Sequence, residues 1–353
     1  MLNNLTGLRF YAAMWVFLYH FSVYIGLGNI FFDKGYLGVD IFFVLSGFIL
    51  TYAYQKSFFG EKITFKTYYH FIIKRFAKIY PLQILTFVIV GILLYCCKYL
   101  LHQENLIIRN DHIISNLLMT HAWNINDALS WNTHSWSLSA EWFAYLFLFV
   151  LAAFMLRINR FFGLMILITV VVYFIAKWFN VDRFSLNHYS YNGLERIIPE
   201  FFLGIILCLL RLRYEISKRA ATFIFVLGFT LMLLILVFDY KVDALCILAF
   251  GSIVYALSFY THLDRFFSSA RLIYFGNISF AFYMFQLIAF YLLKPFQNYL
   301  EYVGMAADYR LGLQLLLLFF INITLAAAAY RYFEEPMRVL LVNKLIKSQN
   351  RNA

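Results

Sequence analysis

The sequence predicts an all-α fold: a polytopic transmembrane helical bundle of about ten spans with both termini cytoplasmic. Three observations predict it. Apolar runs of about 20 residues, the length that crosses a hydrocarbon core, recur from end to end of the 353-residue chain. The chain is 63% apolar and 13% charged, against about a quarter charged in a soluble domain. Alternate loops collect most of the 29 Lys and Arg residues, as cytoplasmic loops do under the positive-inside rule. That rule also accounts for the net charge of +11. The expected partner is the lipid bilayer, and no nucleic acid is expected.

Spans are expected at 5–25, 36–55, 79–101, 134–156, 160–179, 194–211, 219–238, 242–260, 273–293 and 309–332. Residues 1–340 read as one transmembrane domain and 341–353 as a cytoplasmic tail. The first span, Leu5–Ile25, is too long for the apolar core of a cleavable signal peptide, and it carries Arg9 and His20. At ~100° per residue these two share a helix face, with an axial rise of about 16 Å between them. An imidazole halfway across a bilayer suits proton transfer near neutral pH; its plainer reading is a neutral ring bonded to a neighbouring helix. Arg9 alone reads as a cation snorkelling to the surface.

The second span follows GYLGVDIFFVLSGFIL. Gly35, Gly38 and Gly47, with Ser46, allow close helix approach. Asp40 enters near the outer end, where it caps the helix or pairs with a cation elsewhere. Residues 56–78 read as a helix on the inner membrane surface, with Lys62, Lys66, His70, Lys74 and Lys78 recurring every fourth position. It closes on KRFAKIYP, with Pro81 expected to start the next helix. Lys74, Arg75 and Lys78 are either ordinary cytoplasmic charge or a phosphate site.

The segment 102–133 is expected outside, with His121 and Asp127 among its polar residues. Span four opens with HSWSLSAEWFAY. Glu141 lies about two turns inside among apolar residues and needs a proton or a partner. Ser137 and Ser139 would serve as nucleophiles only with a base nearby, which the sequence does not show. Glu195 and Glu200 flank Pro199, and the EEP at 334–336 reads as a helix stop. The four cysteines lie in apolar runs and suggest neither a disulfide framework nor a metal site.

Taken together, the stretches LTGLRFYAAMWVFLYH, GYLGVDIFFVLSGFIL, KRFAKIYP, WSLSAEWF, FGNISFAFYMFQ and YFEEPMR resemble the membrane-bound acyltransferase-3 family, in family order and over nearly the whole chain. The resemblance implies transfer of acyl groups, most often acetyl from acetyl-CoA, to sugar hydroxyls. The donor is then a substrate, with no permanently bound cofactor. It also implies catalytic roles for Arg9 and His20, with Glu141 orienting His20 or binding the acceptor, and coenzyme phosphates on Lys74, Arg75 and Lys78. The family commonly has arginine where this chain has Lys78, which keeps the charge and loses the bidentate fork. The expected acceptor is a cell-envelope or exported glycan or glycolipid, and the expected location a bacterial inner membrane. The alternative is a transporter or flippase whose pathway is lined by the intramembrane Arg, His and Glu.

Overall fold

The structure, a computed structural model, describes residues 2–60, 63–100, 102, 108–126, 129–180, 193–237 and 245–347. Lys62, Asp127 and the tail beyond Lys347 lie outside the described residues. Among the described residues all regular structure is helical. The helices are α1 (Asn3–Ile25), α2 (Ile30–Asp33), α3 (Gly38–Tyr54), α4 (Phe65–Tyr95), α5 (Ile113–Leu117), α6 (Trp136–Phe143), α7 (Phe149–Ile158) and α8 (Arg160–Asn180). They continue with α9 (Gly193–Arg213), α10 (Lys218–Val237), α11 (Cys246–Leu257), α12 (Asp264–Phe267), α13 (Ala270–Tyr302), α14 (Ala307–Ala329) and α15 (Glu335–Lys347).

Six helical stretches among the described residues are long and apolar enough to cross a membrane: Ile30–Gly60, Phe65–Leu100, Thr133–Ile158, Lys218–Val237, Ala270–Leu300 and Tyr309–Ile346. Two further apolar helices, Arg160–Ala176 and Cys246–Leu257, are shorter. Helices α1 and α9, both expected to span, fall outside the six. They carry the polar load: Arg9 and His20 in α1, Glu195, Arg196 and Glu200 in α9.

The chain forms two compact units. Unit 1 comprises Met1–Tyr68, Ala122–Asp127 and Ser137–Asn277. Its most extensive helix pair is α3 with α9. Two glycines permit that approach. A Cβ at Gly47 would lie 2.1 Å from the Phe201 carbonyl oxygen, and one at Gly204 2.2 Å from that of Val44. The close approach expected from Gly47 is therefore backbone against backbone, with α9 as the partner. Around it Leu8, Trp15, Ile41, Val44, Phe48 and Phe250 form an apolar core. Helix α1 ends at Gly26, whose left-handed φ of 69° lets its N–H return to the Ser22 carbonyl.

Unit 2 comprises Tyr69–His121, Ala128–Trp136 and Ile278–Ala353. Two sequence expectations are corrected here. Pro81 does not begin a helix; it sits inside α4, which runs unbroken through the expected boundary between surface helix and span. The residue four back, whose carbonyl the proline ring crowds, is the small and fully buried Ala77. The second correction concerns EEP, which does not stop the chain. A π-helical turn, Tyr330–Glu334, carries α14 straight into α15, and the wider π turn absorbs the N–H that Pro336 lacks. Residue 340, the expected edge of the tail, lies inside α15.

The interior of unit 2 is polar for a membrane protein. Asn132 Nδ2 donates to Thr86 Oγ1 at 2.8 Å and to Gln83 Oε1 at 3.3 Å. Asn322 Nδ2 joins α14 to α13 through the Phe282 carbonyl, and Tyr283 donates its hydroxyl to the His134 carbonyl. Each bond satisfies a group that would otherwise be costly to bury.

Candidate functional site

In unit 1, α1 is helical through both Arg9 and His20, so the expected shared face and the rise of about 16 Å hold. Both side chains are partly exposed, whereas Leu8, Ala13, Val16 and Phe17 beside them are buried. The His20 ring lies beside that of Tyr19, 5.2 Å between centroids. Among the described residues Arg9 has no hydrogen-bond or ion-pair partner.

Glu141 has found partners. Its Oε1 accepts from Ser46 Oγ of α3 at 2.7 Å and from the Tyr145 hydroxyl, which is four residues on. Those two hydroxyls are 3.3 Å apart. His20 is not a partner of Glu141, so nothing in the geometry has this carboxylate orient the imidazole. Oε2 makes no hydrogen bond among the described residues.

In unit 2 the three cations of α4 differ. Lys74 is exposed and Arg75 half-buried. Lys78 forms an ion pair with Glu334, its ammonium 5.7 Å from the centre of the Phe280 ring. The first acid of EEP therefore neutralises one of the three charges assigned to phosphates. The second, Glu335, pairs with Arg338 one turn on.

Two polar clusters escaped the sequence reading. In unit 1, Arg196 grips Asp40 with a bidentate fork, Nε to Oδ1 at 3.0 Å and Nη2 to Oδ2 at 2.8 Å. The same Nη2 donates to the Tyr36 carbonyl at 3.3 Å. Asp40 signals its need for a cation, but nothing in the sequence around Arg196 marks it as that cation. In unit 2, Ser135 lies 3.1 Å from His121 Nε2 while donating to the Asn132 carbonyl. With its proton on the Asn132 carbonyl, the Ser135 hydroxyl accepts from His121 Nε2–H, so this pair is not a nucleophile with its base. Ser139 is structural: its hydroxyl accepts from the Ala122 N–H and its carbonyl from Trp123 Nε1. Burial pulls the His121 imidazole down to about 4, although hydrogen bonds at Ser115 and Ser135 act the other way.

Among the described residues no three His, Cys, Asp or Glu side chains are grouped to hold a metal ion, and the four cysteines are unbridged.

The family model for an acyltransferase domain, acyltransferase-3, matches residues 2–331. This chain belongs to the acyltransferase-3 family. The acyltransferase-3 chain is 32% identical to the acyltransferase MdmB of Streptomyces mycarofaciens, over 41% of this chain and 38% of that protein. It is 24% identical to a Staphylococcus aureus strain COL protein provisionally named an O-acetyltransferase, over 95% of this chain and 57% of that one. A third relative, protein 2 of the picA locus of Rhizobium radiobacter, is 35% identical over 28% of this chain and 47% of its own length. The matches thus span between about two fifths and three fifths of these curated relatives. No solved structure matches the chain. A transporter or flippase finds no support in these names.

Proposed function

We propose that this chain is an integral membrane O-acetyltransferase that moves acetyl from acetyl-CoA to a hydroxyl of a glycan or glycolipid. The observation that carries the reading is a family match over residues 2–331, with Arg9 and His20 both partly exposed on one face of α1. The ten-span topology, with both termini cytoplasmic and the chain in a bacterial inner membrane, belongs to the same reading. The basic face of α4 then meets the compartment that holds the coenzyme.

Lys74 and Arg75 bind coenzyme phosphates, and Lys78 joins them by exchanging Glu334 for a phosphate oxygen. Arg9 holds a phosphate or steadies the pantetheine arm. That arm reaches roughly as far as the ~16 Å between Arg9 and His20, which brings the thioester to the imidazole. His20 takes the proton of the acceptor hydroxyl as its oxygen attacks the thioester carbonyl. The C–O bond of the new ester forms, the C–S bond breaks, and the proton passes to the departing coenzyme thiolate. Glu141 Oε2 binds a second hydroxyl of the acceptor.

The test is transfer of label from acetyl-CoA to envelope glycan in membranes carrying wild-type protein or H20A. His20→Ala is expected to lower transfer by about 10²–10⁴-fold, the contribution of a general base. Full transfer by H20A at normal membrane abundance would overturn the scheme.

A further inference from the structure

A cavity of about 610 Å³ opens at the end of unit 1 that carries Leu2. It gathers Asn4 of α1, Arg211 of α9, Lys218 of α10, Asp264 of α12 and the connecting Glu215. None of these has a role in the transfer scheme.

Arg211 is oriented before any ligand arrives. Its Nε donates to the Ser258 carbonyl at 3.3 Å, and its guanidinium lies 4.0 Å from the centre of the Phe259 ring. Among the described residues it makes no other hydrogen bond. Both Nη groups thus keep their donors, in the planar arrangement that matches two oxygens of a phosphate. Asp264 makes no hydrogen bond to Arg211 among the described residues. Its Oδ1 already accepts from the Thr261 N–H and hydroxyl, each at 2.8 Å, and from Asn4 Nδ2 at 3.0 Å. The cations Arg211 and Lys218 share the lining with the carboxylates Glu215 and Asp264, so its formal charges balance, and the guanidinium fork rather than an excess of charge is what a ligand meets. Lys218 and Glu215 are exposed at the mouth, while Leu2, Ile216 and Leu257 supply apolar wall.

We infer that this cavity holds a singly charged phosphate group, either the phosphodiester of a lipid headgroup or the monoanion of a soluble phosphate. The Arg211 fork takes two phosphate oxygens, Lys218 adds a point charge, and the carboxylates Glu215 and Asp264 disfavour multiply charged anions. The apolar wall accommodates the glycerol end of a lipid.

The inference is tested by thermal unfolding of the full chain in detergent, with three probes at matched ionic strength: short-chain phosphatidylglycerol, inorganic phosphate, and short-chain diacylglycerol, which lacks the phosphate. Wild-type protein is expected to gain a saturable rise in Tm from a phosphate-bearing probe and none from diacylglycerol. Arg211→Gln is expected to weaken the apparent affinity at least tenfold. Lys218→Gln, which disturbs no packing, is expected to weaken it several-fold. Protection by phosphatidylglycerol alone identifies a lipid headgroup; protection by inorganic phosphate identifies a soluble ligand. No protection by either, equal protection by diacylglycerol, or protection undiminished in both variants would overturn the inference.

Discussion

The two units each contain an ion pair between distant helices, and the pairs are built differently. In unit 1, Asp40 and Arg196 are 0% and 1% exposed, joined by a two-pronged fork, with a backbone carbonyl on the remaining side. In unit 2, Glu334 is 1% exposed but Lys78 is 26% exposed, and the contact is a single ammonium on a single oxygen. A closed pair of the first kind cannot release either partner without stranding a charge, so it serves architecture. The second kind is open on one side only: Lys78 reaches water, whereas Glu334 is buried and would need a proton or another donor if the lysine left. The difference is between a pair closed on both sides and one open at its lysine, even though both look alike as charged residues in apolar sequence.

Substitutions sharpen the contrast, the largest effect falling on unit 1. Asp40→Asn removes the carboxylate that the Arg196 fork grips, leaving Glu200 as the other acid that bears on it, and is expected to cost up to about 3–5 kcal/mol, read as loss of folded protein in detergent. A normal Tm for that variant would end the distinction drawn here. Next comes acid, which acts on unit 2. The His121 imidazole titrates near 4 when folded and near 6.5 when unfolded, so between these values the unfolded chain binds the extra proton. Stability is complete above pH 6.5, falls as pH drops toward 4 by about 3 kcal/mol, and levels off below. His121→Asn is expected to flatten this part of the profile; His112, which adds its own charge beside His121, remains.

Smaller effects follow. Arg196→Lys keeps the charge and loses the fork, with an expected cost of about 2 kcal/mol in chemical or thermal unfolding. Glu334→Gln is expected to cost about 1 kcal/mol or less, because Lys78 reaches solvent. If Lys78 serves coenzyme phosphate, the same variant should bind coenzyme A several-fold more tightly in a titration. Weaker binding would show Glu334 holding Lys78 in place for the ligand instead of competing with it.

Residue type and local spacing carried part of this into the sequence. Arg9 and His20 share a face because eleven positions return a helix almost to its starting angle. Asp40 and Gly47 announced that α3 must meet another helix closely. The partners were not legible. Arg196 lies 156 residues from Asp40 and Glu334 lies 256 from Lys78, and no periodicity links positions across such gaps. The proline readings failed for a different reason. Pro81 is tolerated by the small residue one turn back, and Pro336 by a π turn, so in both places local geometry overrode a helix-breaking signal. Span counting was hardest in α1 and α9, whose polar groups dilute the apolar pattern on which counting depends.

The separation of Asp40 from Arg196 also has a meaning in time. A ribosome adding about 5–20 residues per second needs on the order of 8–30 s to deliver the arginine after the aspartate. Throughout that interval the nascent α3 enters the membrane with its acid unanswered and its glycine notch at Gly47 empty. A carboxylate costs about 2.5–3.5 kcal/mol at mid-bilayer on insertion scales and less near a helix end, where Asp40 lies in the first turn of α3, a cost that the strongly apolar remainder of α3 tolerates. Emergence of α9 then delivers the guanidinium and Gly204 together, so biogenesis of unit 1 turns on the arrival of a single helix.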